Sequence, residues 1–241
     1  LRQDRFHAMR VVLTGAGSGI GHALALMFRD RGDQLVLLVR SAERAAAMQA
    51  DFPAAEFVVA DLAEPGTLHG LGREIEGTVD ALVHCAGVVA LAPVGAARLD
   101  SWEHQLAVNL LAPAVVTREL LPALRASLGS VVFVNSTAGL TAGAGWSAYS
   151  ASKFGLRALA ESLRAEEPAV RVATVYPGRT ATPMQQMVHK QEGRTYDPSQ
   201  WTQPETVAAS ILGVLDMPAD ATVTDVMFGR PRPREKSQVN L

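Results

Sequence analysis

Seven short runs rich in valine and leucine recur along this chain, at 10–15, 34–40, 56–62, 80–87, 129–136, 170–178 and 222–229. They do not alternate apolar with polar residues, which is how strands covered on both faces read. Between them lie segments built of helix formers with apolar residues three to four apart, at 21–31, 41–50, 65–77, 100–127, 147–166 and 203–216. Strand–helix alternation requires right-handed crossovers and a mostly parallel sheet. The expectation is one α/β domain over 9–241, doubly wound and Rossmann-like, with seven strands and helices on both faces. No linker rich in Pro, Gly or Ser divides it.

Composition narrows the function classes. Of 241 residues 48 % are hydrophobic, enough for a sizeable core, and 19 % are charged with a net charge of −2. Nothing in that balance fits a polyanion-binding surface, so no nucleic-acid partner is expected. Cys85 is the single cysteine, which fits a reducing, cytoplasmic compartment. Residues 1–8 read as a tag or extension ahead of Met9, without the apolar stretch of a signal peptide. No apolar run reaches the ~18 residues of a membrane span, and the scattered histidines show no ligand spacing. Neither membrane nor metal is expected.

The first βα turn carries Gly15, Gly17, Gly19 and Gly21, with Ser18 and Ile20 among them. Glycine lets the backbone approach a ligand, and the following helix aims its first N–H groups at the turn, which suits a pyrophosphate. The context of strand, glycine turn and helix gives the pattern its weight. A ligand-free tight turn is the plain alternative. A methyl-donor site is another, but it leaves the later tyrosine–lysine pair unexplained.

The second run ends Val39-Arg40-Ser41. An acidic residue about 20 positions past the glycine turn would bond a bare ribose diol. Valine cannot, whereas arginine offers a charge-assisted fork to a 2′-phosphate. The reading is NADP(H) over NAD(H); alternatively Arg40 is a solvated residue at a helix start. Asp61 and Leu62 close the third run. The Asp61 carboxylate can accept a hydrogen bond from an adenine amino group, or it caps the helix near Pro65.

Tyr149 and Lys153 stand four apart, on one face of a helix. A nearby ammonium would pull the phenol below its usual pKa of ~10, which suits an acid/base. Ser136 ends the fifth run, at the carboxyl edge where open α/β sheets bind ligands. Asn109 precedes Pro113 by four positions, so the proline leaves the Asn109 carbonyl free at a kink. The free carbonyl can hold a relay water, or the kink serves packing alone.

Together "TGAGSGIG" (14–21), Asn109, Ser136, "YSASK" (149–153) and "PGRTATPM" (177–184) resemble the short-chain dehydrogenase/reductase family, in its compact single-domain branch. The resemblance implies that Tyr149 is the acid/base and that Ser136 holds the substrate oxygen. It further implies that Lys153 tunes Tyr149 and binds the nicotinamide ribose, and that Asn109 anchors the relay. Ala86 and Gly87 would approach the cofactor ribose, and Pro177, Gly178, Thr180 and Thr182 would border nicotinamide and phosphates. The implied activity is hydride transfer between the cofactor and a carbonyl or alcohol substrate, in a homodimer or homotetramer built on the 100–127 and 147–166 helices. An NAD(H) alcohol dehydrogenase and a non-catalytic dinucleotide sensor or scaffold are the rival readings.

One departure stands out. His84 and Cys85 precede Ala86-Gly87 where the family usually carries two asparagines that tie neighbouring strands. Neighbours on a strand point to opposite faces, so the two read as a buried structural pair rather than nucleophile and base. Residues 183–204 read as the longest irregular region, which the resemblance implies is a substrate lid, with Met184, Met187, Tyr196 and Trp201 as candidate apolar liners. The small residues of 139–145 would border the same pocket.

Overall fold

The computed structural model describes residues 8–229, and the tag or extension expected over 1–8 lies almost wholly outside them. All seven expected strands form: β1 (Arg10–Thr14), β2 (Gln34–Val39), β3 (Glu56–Val59), β4 (Ala81–His84), β5 (Ser130–Val134), β6 (Arg171–Tyr176) and β7 (Asp225–Met227). They make one sheet of order β3-β2-β1-β4-β5-β6-β7. Every pairing is parallel.

Successive strand residues point to opposite faces, so each strand feeds two cores. Val11, Leu13, Leu37, Val83, Val132 and Val175 pack with Leu24 and Phe28 of α1 (Gly19–Arg31) and with Val207 and Ile211 of α8 (Pro204–Leu215). Val12, Val36, Leu82, Val131, Phe133 and Val172 face the other way. They meet Val116, Leu120 and Leu124 of α5 (Ala112–Ser127) and Leu156 and Ala160 of α6 (Ser147–Glu166). Each of these large side chains, sealed from water, contributes roughly 1.5–3 kcal/mol. This two-sided burial explains why the strands lack an alternating pattern.

Four features differ from expectation. First, the 65–77 helix is broken. Pro65–Leu68 makes a 3₁₀ turn, Gly70 takes φ +92°, and only α3 (Leu71–Glu74) is α-helical. Gly66, Gly70 and Gly72 weaken that segment as a helix. Second, α2 is shorter than its pattern (Ala42–Met48), because Ser41 caps it by accepting from the Arg44 N–H at 3.3 Å. Third, 183–204 is not irregular throughout, since Pro183–Gln191 forms a helix, α7. Thr182 caps α7 by accepting from the Gln185 N–H at 3.2 Å, with Pro183 at the first position. Fourth, one helical stretch, Leu99–Ser127, is long and apolar enough to cross a membrane. Its apolar stripe through Ala112, Val116, Leu120 and Leu124 is fully buried against the sheet.

The expected kink in that stretch is a π-helical turn over Ala107–Leu111, between α4 (Leu99–Leu106) and α5. There the Ala112 N–H reaches back five residues to the Ala107 carbonyl, and such turns cluster at functional sites. The order of the strands reverses between β1 and β4, which opens a crevice at their carboxyl ends.

Candidate active site

A cleft of about 1030 Å³ fills that crevice. At one end is the glycine turn. Gly15 sits at φ +76°, and a Cβ there would fall 2.6 Å from the Ala86 nitrogen, so β1 and β4 can approach only with glycine. The Thr14 hydroxyl accepts from the N–H groups of Cys85 and Ala86, both at 3.1 Å. That hydroxyl ties the two strands together where asparagines are absent.

Of the residues singled out by sequence, Gly15, Gly17, Ser18, Gly19, Ile20, Gly21, Arg40, Asp61, Leu62, Ala86 and Gly87 line the cleft. So do Ser136, Tyr149, Lys153, Pro177, Gly178, Thr180 and Thr182. Two do not. Ser41 is occupied as the cap of α2, and Asn109 is fully buried behind the wall. The Asn109 amide exchanges hydrogen bonds with Val88, accepting from its N–H at 2.8 Å and donating to its carbonyl at 2.9 Å. It also donates to the Ser152 hydroxyl at 3.0 Å. These bonds fix the chain beside Gly87, where a Cβ would meet Asn109 Oδ1 at 3.4 Å and Lys153 Nζ at 3.8 Å.

Sequence reasoning missed Arg44. Its guanidinium donates to the Gly17 carbonyl across the glycine turn and lines the cleft beside Arg40. Neither arginine joins an ion pair among the described residues. No local spacing signals it, since the contact exists only because α2 brings its first turn back over the glycine turn. Asp61 does not cap the turn at Pro65, whose N-cap is Glu64; its carboxylate accepts from the Ala63 N–H at 2.9 Å in a local turn while lining the cleft.

At the other end Tyr149, Lys153 and Ser136 converge. Tyr149 and Lys153 are 7 % and 3 % exposed, and Lys153 Nζ stands 5.9 Å from the Tyr149 ring centre. The electrostatics correct the simple expectation. Burial raises the Tyr149 phenol above its ordinary pKa, and a hydrogen bond with Ser136 works against that rise. The Lys153 ammonium donates to the Val134 carbonyl at 3.0 Å, and burial brings its pKa down to about 8. Desolvation opposes charge on both groups.

His84 and Cys85 differ from the buried pair expected, since His84 is buried but Cys85 is half-buried and lines the cleft. His84 is sealed between Thr117, 2.8 Å from Nε2, and the stacked ring of Phe133, and burial lowers its pKa to about 3. Burial pushes the Cys85 thiol up to about 12, far from a reactive thiolate.

The lid liners also need correction. Met184 lines the cleft, together with Gln185 and Val188 of the same helix. Met187 points to solvent at 45 % exposure. Tyr196 and Trp201 pack on His189 instead, at 5.2 and 5.4 Å. Thr141, Ala142 and Gly143 border the pocket as expected, and Trp146, Val89 and Val108 add walls that sequence reasoning did not single out.

The chain matches the family model described as short chain dehydrogenase over residues 9–193. It is 29 % identical over 235 residues to an uncharacterized oxidoreductase of Listeria monocytogenes, covering 91 % of this chain and 95 % of that one. It is 32 % identical over 246 residues to dehydrogenase/reductase SDR family member 7B of Bos taurus, covering 92 % and 74 %. Among solved structures, a short chain dehydrogenase from Shigella flexneri complexed with NADP superposes with TM-score 0.85 at 25 % identity, covering 94 % of this chain and 98 % of that one. One from Escherichia coli complexed with NADPH gives 0.84 at 26 %, covering 94 % and 99 %. The family match runs through every residue that walls the cleft, and the chain belongs to the short chain dehydrogenase family of oxidoreductases.

Proposed function

We propose that this chain is an NADP(H)-preferring oxidoreductase that interconverts a carbonyl compound and its alcohol, with Tyr149 as the acid/base. The observation that carries the reading is the shared cleft: Arg40 and Arg44, neither in an ion pair among the described residues, and a glycine turn at one end, Tyr149, Ser136 and Lys153 at the other. The residues fit a dinucleotide phosphate. The backbone of 15–21 and the start of α1 would hold the pyrophosphate, and Arg40 and Arg44 the 2′-phosphate. Asp61 and Leu62 would border adenine, Ala86, Gly87 and Lys153 the nicotinamide ribose, and Pro177, Gly178, Thr180 and Thr182 the nicotinamide. When bound, NADPH supplies the hydride.

Every other step falls to the chain. A phenol held above its ordinary pKa is protonated at neutral pH, so Tyr149 is set to donate to the carbonyl oxygen as that oxygen gains charge. Ser136 aligns the same oxygen. Lys153, with a pKa of about 8, is cationic at neutral pH and offsets the phenolate left behind. The carbonyl of Asn109, at the π-helical turn, anchors reprotonation through water. Leu111 and Phe154, at 50 % and 41 % exposure on the two central helices, are read as part of a homodimer or homotetramer face, in a reducing cytoplasm.

The test is side-by-side fluorescence titration with NADPH and NADH, followed by turnover of Tyr149→Phe. The expected outcome is tight NADPH binding in both proteins and turnover reduced by about 10²–10⁴-fold in the variant. Full turnover in Tyr149→Phe defeats the mechanism. Tighter NADH binding defeats the cofactor assignment.

A further inference from the structure

The substrate end of the cleft has a chemistry of its own. Besides the two cores on the faces of the sheet there is a third, separate apolar cluster of Val89, Tyr149 and Val188, with Ala138, Trp146 and Met184 packed on it. These are cleft walls around the Tyr149 phenol. Trp146 meets the Tyr149 ring edge to face, with centres 5.8 Å apart, and Val108 closes the side toward α4.

The lysine and the arginine at this end are already engaged. Lys153 donates to the Val134 carbonyl. Arg179 binds both oxygens of Glu192, at 2.9 and 2.6 Å, and lies 5.6 Å over the Trp201 ring. His104 stands exposed at the rim. No other charged side chain among the described residues lines this end, since Arg40, Arg44 and Asp61 belong to the adenosine end.

We propose that the pocket selects neutral, apolar carbonyl compounds, aryl or alkyl ketones and aldehydes, and turns away 2-keto acids. The inference rests on the reductase reading above. A carboxylate entering beside Val89, Trp146 and Met184 loses its water and gains no free cation, and burying an unpaired charge is the costlier side of that exchange. An aromatic ring loses nothing there. It gains the Trp146 edge or face and the adaptable Met184 thioether.

The test uses a pair that differs in one charge, ethyl benzoylformate and benzoylformate. NADPH consumption gives kcat/KM for each, and quenching of tryptophan fluorescence in the NADP⁺-loaded protein gives binding without turnover. Trp146→Phe serves as the control that locates the quenching. The ester should exceed the acid in kcat/KM by about 100-fold or more, and only the ester should quench, with the signal lost in Trp146→Phe. An acid turned over as well as the ester, or quenching Trp146 as strongly, overturns the pocket assignment and leaves the reductase reading standing. An ester that quenches Trp146 and consumes no NADPH upholds the pocket and overturns the reductase reading.

Discussion

Replacing Lys153 with methionine should make this protein more stable while disabling it. The ammonium is buried, and burial brings its pKa from 10.5 to about 8. A displacement of two to three pKa units corresponds to about 3 kcal/mol held as desolvated charge, at ~1.36 kcal/mol per pKa unit. Methionine keeps the apolar stem and removes the charge. It also abandons the Val134 carbonyl, now bonded at 3.0 Å, a loss of ~1 kcal/mol. The balance is about 2 kcal/mol in favour of the variant, or a Tm higher by roughly 4–8 °C for a chain of this size. The sign reverses toward alkali. Between about pH 8 and pH 10.5 the folded state binds fewer protons than the unfolded state, so wild-type stability climbs with pH across that window. The penalty is fully present below pH 8 and gone above 10.5. Thermal unfolding followed by circular dichroism, without ligand, at pH 7 and pH 10 reads both effects. A variant that melts at or below the wild-type temperature at pH 7 refutes the reasoning, as does a gap that does not narrow at pH 10.

The other perturbations are simpler. Arg40→Asp and Arg44→Ala should each lower NADPH affinity, and the first should also move preference toward NADH; titration of both nucleotides shows whether either arginine meets the phosphate. Gly15→Ala must place a Cβ 2.6 Å from the Ala86 nitrogen at φ +76°, so it should cost about 3 kcal/mol; an unchanged urea midpoint means the turn is less tight than drawn. Arg179→Met removes the pair with Glu192 and the contact with Trp201. It should raise KM several-fold by loosening α7 while kcat moves less, and a change in kcat alone would contradict that role.

The sheet was legible because its signal is local and repeated. Valine-rich runs such as 34–39 need only be counted, since a strand buried on both faces carries its assignment in composition. The glycine turn and the i, i+4 spacing of Tyr149 and Lys153 are likewise local. The misreadings came where contacts join distant residues. The lid was taken as irregular because its polar residues hid a helix start, although Thr182 followed by Pro183 is a capping signal. Tyr196 and Trp201 looked like pocket walls by type, but both pack on the His189 ring, and Trp201 also lies under Arg179. Arg44 was passed over because its role depends on α2 folding back across Gly17, which no spacing encodes.

The sharpest correction concerns charge rather than shape. Four-residue spacing brings an ammonium and a phenol to one helix face, and from that alone the phenol should be acidified. Spacing says nothing of what else surrounds the pair. Here Ala138, Trp146 and Met184 and Val188 of α7 pack around Tyr149, and Lys153 is itself buried, and desolvation opposes phenolate and ammonium together. The result is a protonated tyrosine beside a lysine whose charge is only loosely held, with a pKa of about 8. Such a pair is poised to give a proton to an oxygen that gains negative charge, because that event supplies the counter-charge burial withholds. On the proposed mechanism the apolar walls are therefore part of the acid/base machinery. The walls proposed to reject a carboxylate also hold the Tyr149 phenol above its ordinary pKa, so the proposed selectivity and the proposed acid role share one physical cause, desolvation.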